Sequence, residues 1–187
     1  MGKGKEDSAL METIEGETCP LCRKKTLNLY EGEQNIPNFG KLFIFGMHCT
    51  DNECDFKQHD VELENPKDPC KIEFTVSDKK DLNVRVIKSS QAAIKIPQLK
   101  ISVEPGVAGE GYISNVEGVI QRFKKILEAE RDTADDDAAR KKAKNLLKRL
   151  WKTECGDEEL KVVIEDPSGN SAIISEKAVV SSLKGKK

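Results

Sequence analysis

The chain has 187 residues and a mass of 20.8 kDa, which suits one domain or one domain with a small module. Its 31 Lys and Arg against 33 Asp and Glu give a formal charge of −2, which excludes a surface that is basic throughout, as a general polyanion binder needs. Charged residues make up 34% of the chain, but both signs are interspersed, so most of it is expected to fold.

Both ends of the chain are polar and lack hydrophobic periodicity. We therefore expect disordered tails over residues 1–15 and 177–187. The first sixteen residues lack the apolar segment of a secretory signal, and the apolar run 42–45 is too short to cross a bilayer. These features predict a cytoplasmic protein without a membrane partner.

Two cysteine pairs dominate residues 16–65. Cys19 and Cys22 have the C-x2-C spacing, Cys49 and Cys54 follow as C-x4-C, and strand-forming sequence lies between the pairs. This layout predicts a zinc ribbon, in which four thiolates enclose one structural Zn²⁺. An iron–sulfur centre and a disulfide pair are the alternatives, the second disfavoured in a reducing compartment.

Four further residues bear on the ligand set. His48 adjoins Cys49, and His59 follows Cys54 by five residues, so either is a candidate replacement for a cysteine; we interpret both as non-ligands. Cys70 and Cys155 lie outside the paired spacing and are interpreted as small buried hydrophobic residues.

A β domain is predicted over residues 66–176. Apolar and polar residues alternate over 72–76 and 82–86, a third β segment over 93–101 is interrupted by Pro97, and a strand at 161–165 leads through a turn at 166–170 into another at 171–175. The glycine-rich stretch 106–111 matches no phosphate-binding motif and is interpreted as a loop.

A helical hairpin is predicted within the β domain, over about 114–155. Ser114 and Glu117 have the spacing of a capping box, and apolar residues recur at helical spacing behind them. In the second helix the apolar stripe ends with Leu150 and Trp151, and Gly156 is the expected stop.

The second helix is basic toward its end. Acidic residues at its start and basic residues later match the helix dipole, so a solvated face is the first interpretation, and a contact with RNA or an acidic protein is the alternative. No aromatic residue is interleaved with these charges, so base stacking is not indicated. The chain shows no catalytic motif, and we expect no enzyme. The basic residues are Arg140, Lys141, Lys142, Lys144, Lys148, Arg149 and Lys152.

Several motifs, in this order, resemble the ZPR-type zinc-finger proteins of eukaryotes and archaea. They are Cys19-Pro-Leu-Cys22 and the segments 36–41, 90–99, 105–106, 116–118 and 165–171. One finger and one β module look like the archaeal half-size form, whereas eukaryotic members resemble a tandem duplication of this unit. The resemblance implies a mainly β fold: a four-cysteine zinc ribbon, then a double-stranded β-helix-like (jelly-roll-like) domain carrying a helical hairpin. One departure is the second knuckle, where the family usually has C-x2-C followed by Gly and an aromatic residue.

The resemblance also implies a function. Eukaryotic relatives bind translation elongation factor 1-alpha and assist its folding, so we expect a zinc-binding, non-catalytic interaction module with that partner. The alternative is an RNA- or ribosome-associated zinc ribbon that uses the basic helix. The candidate partner-binding residues are Ile36, Pro37, Phe39, Lys148, Arg149, and the turn Asp166, Pro167, Ser168, Gly169 and Asn170. For the turn, a structural role is the first interpretation and recognition the alternative.

Overall fold

A four-stranded antiparallel sheet forms the first part of the chain. The computed structural model describes residues 11–37, 39–106 and 109–183. The strand order in this sheet is sequential, and β2 (Leu27–Ile36) and β3 (Gly40–Cys49) form a long hairpin paired from Leu27 with Cys49 to Ile36 with Gly40. Both cysteine pairs therefore lie at one end of this hairpin. The strands are β1 (Met11–Glu17), β2 (Leu27–Ile36), β3 (Gly40–Cys49) and β4 (Lys57–Leu63).

Two further sheets form the β domain. One has five strands in the order β12-β5-β10-β7-β8, and the other has three in the order β11-β6-β9. The alternation predicted at 72–76 is confirmed: the apolar residues of β5 are buried and the polar ones between them are partly exposed. The strands are β5 (Cys70–Val76), β6 (Arg85–Lys88), β7 (Ala93–Ile96), β8 (Ile101–Val103), β9 (Tyr112–Asn115), β10 (Leu160–Asp166), β11 (Ala172–Ile173) and β12 (Val179–Ser182).

The main core lies between the five-stranded sheet and the helical hairpin. Phe74 and Ile164 of the sheet belong to the same buried cluster as Phe123 and Leu150 of the helices. The sheet and the helical hairpin each have one apolar face, so these two faces pack against each other and the polar faces remain in water. The helices are α1 (Val116–Thr133) and α2 (Asp137–Cys155). No helix of the described residues combines the length and the apolar character that a bilayer span requires.

The N-terminal cap of α1 differs from the sequence expectation. Asn115, not Ser114, is the capping residue, and its side-chain oxygen accepts from the Gly118 amide at 2.8 Å. Ser114 belongs to β9, where its backbone pairs with Val86, so the helix begins one residue later than the predicted capping box. The C-terminal stop of α2 is confirmed, since Gly156 has a left-handed φ of +80°.

We predict different costs for truncating these two neighbours. Asn115→Ala leaves a helix amide without its partner and should lower the free energy of unfolding by about 1 kcal/mol. Ser114→Ala removes a side chain that does not cap the helix and should change it by less than about 0.5 kcal/mol. Urea unfolding of both variants measures this, and a larger loss in Ser114→Ala would contradict the observed cap.

The prediction of disordered tails is wrong for residues 11–15 and 179–182, which the structure describes as strands. Residues 11–15 belong to β1, which pairs with β2, and residues 179–182 form β12, which pairs with β5. Every residue of both strands is exposed, so neither carries an apolar pattern that a sequence reading detects. Backbone hydrogen bonds to a sheet edge hold them instead. Residues 1–10 and 184–187 lie outside the described part of the chain.

One predicted strand is also shorter than expected. Residues 82 and 83 lie in a 3-10 turn, Lys79–Asn83, rather than in the alternating segment 82–86. Asp78 and Asp81 form a reciprocal capping box that starts this turn. The strand begins at Arg85 because these side-chain hydrogen bonds hold the preceding backbone in a tight turn.

A second apolar cluster joins the ribbon sheet to the β domain. Ile36, Leu42 and Leu63 of the ribbon are buried in one cluster with Ile87 and Ala172 of the β domain. Hydrogen bonds add to this junction: the Gly111 amide donates to the His59 carbonyl at 2.8 Å, and the Ser90 amide donates to Asp60 at 2.9 Å. The ribbon is therefore anchored at the end opposite its cysteines.

Candidate metal centre

The first cysteine pair sits in a tight backbone loop. The Arg23 amide donates to the Cys19 carbonyl, and the Cys19 amide donates to the Lys24 carbonyl, both at 2.9 Å. Arg23 takes a left-handed φ of 62°, which reverses the chain directly after Cys22. This turn places both thiols of the C-x2-C motif toward the second pair.

The second pair reaches the same place with two more residues between its cysteines. The Cys54 amide donates to the Asp51 carbonyl at 2.9 Å, and the Asp51 side chain accepts from the Glu53 amide at 3.0 Å. The Lys24 ammonium pairs with the Asp51 carboxylate and thus links the two loops. The extra residues of the C-x4-C motif form this turn and leave the thiol positions compatible with one centre.

The four sulfurs form a compact group. Their ligand atoms all lie within 4.8 Å of one another, with 3.8 Å between Cys19 and Cys54 and 3.7 Å between Cys22 and Cys49. A tetrahedral Zn²⁺ with bonds of about 2.3 Å to sulfur needs sulfurs about 3.8 Å apart. All six cysteines are free, and these separations are too long for a disulfide. The donor set therefore fits one tetrahedral metal ion.

The thiol pKa values differ within the group. A hydrogen bond from the Lys24 amide is the main cause that lowers the pKa of Cys22 to about 7. The Phe56 amide acts in the same direction on Cys54, but burial and the neighbouring thiols outweigh it and raise the pKa of Cys54 to about 12. Four adjacent thiolates repel one another, and a divalent ion removes this obstacle. Tetrahedral sites of four thiolates hold zinc or an iron–sulfur centre.

The surroundings close the centre to other ligands. Cys19, Cys49 and Cys54 are buried, and the Thr26 hydroxyl lies 3.1 Å from the Cys49 sulfur. Hydrogen bonds of this kind orient a metal ligand and moderate its charge. Four protein ligands leave no open coordination position, so such an ion stabilises the fold.

Neither histidine belongs to this group. Within the described residues, only the four cysteines cluster as possible metal ligands. His48 pairs across the sheet with Asn28 and Lys57, and His59 is an exposed residue of β4 opposite Gly46. Both histidines thus occupy ordinary strand positions of the ribbon.

The two remaining cysteines differ from each other. Cys70 is buried in the main core, and burial raises its pKa, as expected of a small hydrophobic residue. Cys155 ends α2 and is partly exposed, so its expected burial is wrong; in this last turn Thr153 is the buried residue.

The candidate contact residues of the ribbon loop are only partly accessible. Ile36 is 1% exposed and packs in the cluster that joins ribbon and β domain, so its side chain is not available to a partner. Phe39 is partly buried, with the Lys67 ammonium 4.6 Å from its ring centroid. Pro37 is exposed, and Asn38 lies outside the described residues.

The turn after β10 is an internal junction rather than an open surface. Asp166 is fully buried and accepts from the Ser168 amide and hydroxyl at 2.7 and 2.6 Å. Asn170 accepts from the Leu63 amide at 3.0 Å, and Gly169 accepts from the Lys67 amide at 3.2 Å. Of the five candidate residues in this turn, Pro167 is exposed and Ser168 partly exposed.

Protonation of Asp166 should affect stability in acid. Burial raises its pKa, but hydrogen bonds from Ser168, Ser171 and Ser89 outweigh this and hold the pKa below its usual value. Its stabilising effect is therefore complete above the unfolded-state pKa of about 3.9 and is lost as the pH falls through the lower folded-state value. We predict that Asp166→Asn costs about 1–3 kcal/mol at pH 7 and progressively less below pH 4.

Urea unfolding of both proteins from pH 7 to pH 3 measures this difference. Since both carry the same cysteines, acid release of metal affects them alike and cancels in the comparison. A difference that stays constant with pH would contradict the prediction.

The basic residues of α2 divide into engaged and free positions. Arg149 donates to Glu158 at 2.7 Å and to the Gln98 carbonyl at 3.0 Å, so it braces the helix against the β domain. Lys148 is exposed, and the structure records no ion pair for it within the described residues. Lys148 therefore stays a candidate contact, whereas Arg149 has a structural role.

Two exposed side chains were not among the sequence candidates. Leu21 is 66% exposed inside the first knuckle, and Trp151 is 56% exposed on α2. Trp151 was expected to extend the buried stripe, but Leu150 and Thr153 face the core and place Trp151 about 100° away from Leu150. The exposed tryptophan corrects the expectation that no aromatic residue accompanies the basic face.

The fold and the cysteine centre together define a zinc-ribbon protein with an appended two-sheet β domain and a helical hairpin. The family model of the ZPR1 jelly-roll domain matches residues 80–184. A ZPR1-like protein of Methanocaldococcus jannaschii is 37% identical over 167 residues, which are 89% of this chain and 83% of that protein. The chain therefore belongs to the ZPR1 family, and the expected jelly-roll domain with an inserted helical hairpin is confirmed.

Two other relatives show how the match extends. A ZPR1-like protein of Pyrococcus horikoshii is 37% identical over 163 residues, or 85% of this chain and 72% of that protein. The zinc finger chaperone zpr1 of Schizosaccharomyces pombe is 27% identical over 142 residues, which are 74% of this chain but 30% of that protein. The chain thus covers most of the length of the two ZPR1-like relatives and 30% of the length of the fission yeast protein.

Proposed function

We propose that this protein is a non-catalytic chaperone module of the cytoplasm that holds one structural zinc ion and binds translation elongation factor 1-alpha. The observation that carries the proposal is the exposure of two large apolar side chains, Leu21 on the first knuckle and Trp151 on α2. Exposed tryptophans are frequent energetic centres of protein interfaces. The fission yeast relative, named a zinc finger chaperone, supports the same class.

The surroundings of Trp151 indicate an acidic client surface. Lys144 and Lys148 are exposed and lie seven and three residues before the tryptophan, on the same face of α2. Such a surface combines an apolar anchor with positive charge and favours an acidic partner. The proposed contact is therefore local and agrees with a chain whose overall charge is −2.

Client capture with purified elongation factor 1-alpha tests this proposal. We expect Leu21→Ser and Trp151→Ala each to weaken binding at least tenfold, because each removes an anchor that the partner covers. Val180→Ser is the matched control, since Val180 is 64% exposed but lies on β12, outside the proposed surface. Binding that is equal in all three variants, or absent in the wild type, would overturn the proposal.

A second candidate function, RNA binding, is favoured by the same tryptophan. A base can stack on an exposed indole while neighbouring lysines contact phosphates. Phosphate contacts weaken steeply with salt, by roughly a factor of ten or more between 50 and 200 mM for a few contacts. Capture of RNA in low salt that fails in moderate salt, without capture of the elongation factor, would select this candidate.

A further inference from the structure

A buried lysine in the β domain lacks a carboxylate partner. Lys88 ends β6 and is 5% exposed. Its ammonium donates to the backbone carbonyls of Ser89 at 2.9 Å and Glu110 at 3.2 Å, and within the described residues it forms no ion pair. An ammonium has three N–H donors, and a buried cation without a counter-ion is costly. Lys88 therefore has capacity for one more acceptor, best an anion.

The acidic groups near Lys88 are engaged elsewhere. Burial lowers the pKa of Lys88, and the charges of Asp166 and Asp60 counteract this through space. Asp166 accepts from the Ser89 hydroxyl at 3.1 Å, and Asp60 accepts from the Ser90 amide at 2.9 Å. Neither carboxylate contacts the ammonium. The attraction of these carboxylates offsets part of the free-energy cost of burying the ammonium. It leaves the third N–H donor of Lys88 without an acceptor.

A cavity of about 340 Å³ opens beside this lysine. Its polar lining includes Lys88, Tyr112 and Arg122, and the guanidinium carbon of Arg122 lies 4.0 Å from the Tyr112 ring centroid. Burial raises the pKa of Tyr112 to about 12, so its hydroxyl remains a donor at neutral pH. The other lining is mainly apolar and includes Val119, Phe123 and Ile126 of α1.

The two carboxylates that line this cavity do not neutralise Lys88. Glu104 lies 4.0 Å from Lys95, and Glu110 lies 3.8 Å from Arg122. Both side chains are about half exposed, so water screens their charge. The buried end of the cavity thus presents a cation and the walls present apolar surface.

We propose that this cavity binds a small organic monocarboxylate, with the carboxylate on Lys88 and an apolar body against α1. At about 30 Å³ per water molecule, the volume corresponds to an occupant of roughly ten non-hydrogen atoms. Lys88 anchors the acid, Tyr112 and Arg122 orient it, and the helix side chains select an apolar body. This site is separate from the proposed client surface and does not rest on that function.

Calorimetric titration with 3-phenylpropionate and its neutral analogue 3-phenylpropan-1-ol tests this site. We expect the acid to bind wild type at least tenfold more tightly than the alcohol, and the difference to disappear in Lys88→Met. Methionine keeps an unbranched side chain, one atom shorter than that of lysine, and removes the charge; a single cooperative thermal unfolding transition verifies the fold of this variant. No binding of the acid at millimolar concentration, equal binding of acid and alcohol, or full affinity in Lys88→Met would overturn the proposal.

A second variant tests the site without altering its buried end. Ile126 is half exposed, so Ile126→Glu places a negative charge at the cavity mouth and should weaken binding of 3-phenylpropionate at least tenfold. Ile14→Glu makes the same change on exposed β1 and should leave binding unchanged.

A peptide C-terminus is the alternative source of the carboxylate, and N-acetylglycyl-phenylalanine tests it. Tighter binding of this peptide than of 3-phenylpropionate would overturn the assignment to a small molecule.

Discussion

Replacing Cys19 by Ser is expected to abolish stoichiometric zinc binding and to unfold the knuckle end of the ribbon. The cluster there is small: the four cysteines, Leu27, and a few partly buried neighbours. Metal binding to such sites contributes about 10–16 kcal/mol in isolated zinc-finger peptides, far more than this cluster supplies by burial. Cys19 is completely buried, so a serine hydroxyl at this position neither replaces the thiolate nor reaches solvent.

We expect the unfolding to be graded along the β2–β3 hairpin. Its far end is held by Ile36, Leu42 and Leu63 in the cluster shared with the β domain. Hydrogen exchange should therefore show lost amide protection near residues 19–29 and 47–56, and retained protection near Ile36 and Leu42. Treatment of wild type with a chelator should give the same pattern.

Cys155→Ser is the matched control for this experiment. It removes a thiol outside the metal group and should retain one zinc per chain with unchanged exchange. Retention of one zinc by Cys19→Ser, or loss of protection spread evenly over the β domain, would contradict a structural zinc site confined to the knuckles.

The zinc ligands could be predicted because their spacing is a local property of the sequence. Each cysteine pair needs only its own turn and a hairpin that joins it to the other pair, and both are readable from residues 19–54. The two extra residues of the C-x4-C motif do not alter the ligand set, because the Asp51 side chain accepts from the Glu53 amide and holds these residues in a turn. The interpretation of His48 and His59 as non-ligands agrees with a ligand cluster that, among the described residues, holds the four cysteines alone.

The contact surface could not be predicted, because it depends on packing between distant segments. Ile36 looks like an exposed loop residue in sequence, yet Ile87 and Ala172 of the β domain belong to the cluster that buries it. The turn at 166–170 likewise resembles a recognition loop, but Leu63 and Lys67 occupy its hydrogen-bonding groups. Helical periodicity also predicted a buried Trp151. The buried face of α2 is narrower than predicted and includes Leu150 and Thr153 but not Trp151.

The same turn gives the second large expected effect, in Gly169→Ala. Gly169 has a left-handed φ of +71°, and a Cβ there would lie 1.8 Å from the Lys67 carbonyl oxygen and 2.5 Å from its carbon. Since that obstacle is backbone, the turn must move, and the bonds of Lys67 to Gly169 and of Leu63 to Asn170 break with it. We expect a loss of at least about 3 kcal/mol, or roughly 6–12 °C in Tm.

Gly16→Ala separates the clash from the backbone strain. Gly16 has a similar φ of +78° but nothing within 4 Å of its added Cβ, so only the left-handed conformation is penalised, at about 1–2 kcal/mol. Thermal and urea unfolding compare the two variants, and hydrogen exchange at Leu63 and Lys67 should quicken in Gly169→Ala but not in Gly16→Ala. Equal losses would mean that the turn is not locked against residues 63–67. A selectively large loss would mean that the turn stabilises the junction of ribbon and β domain, because the chain passes from one to the other through that segment.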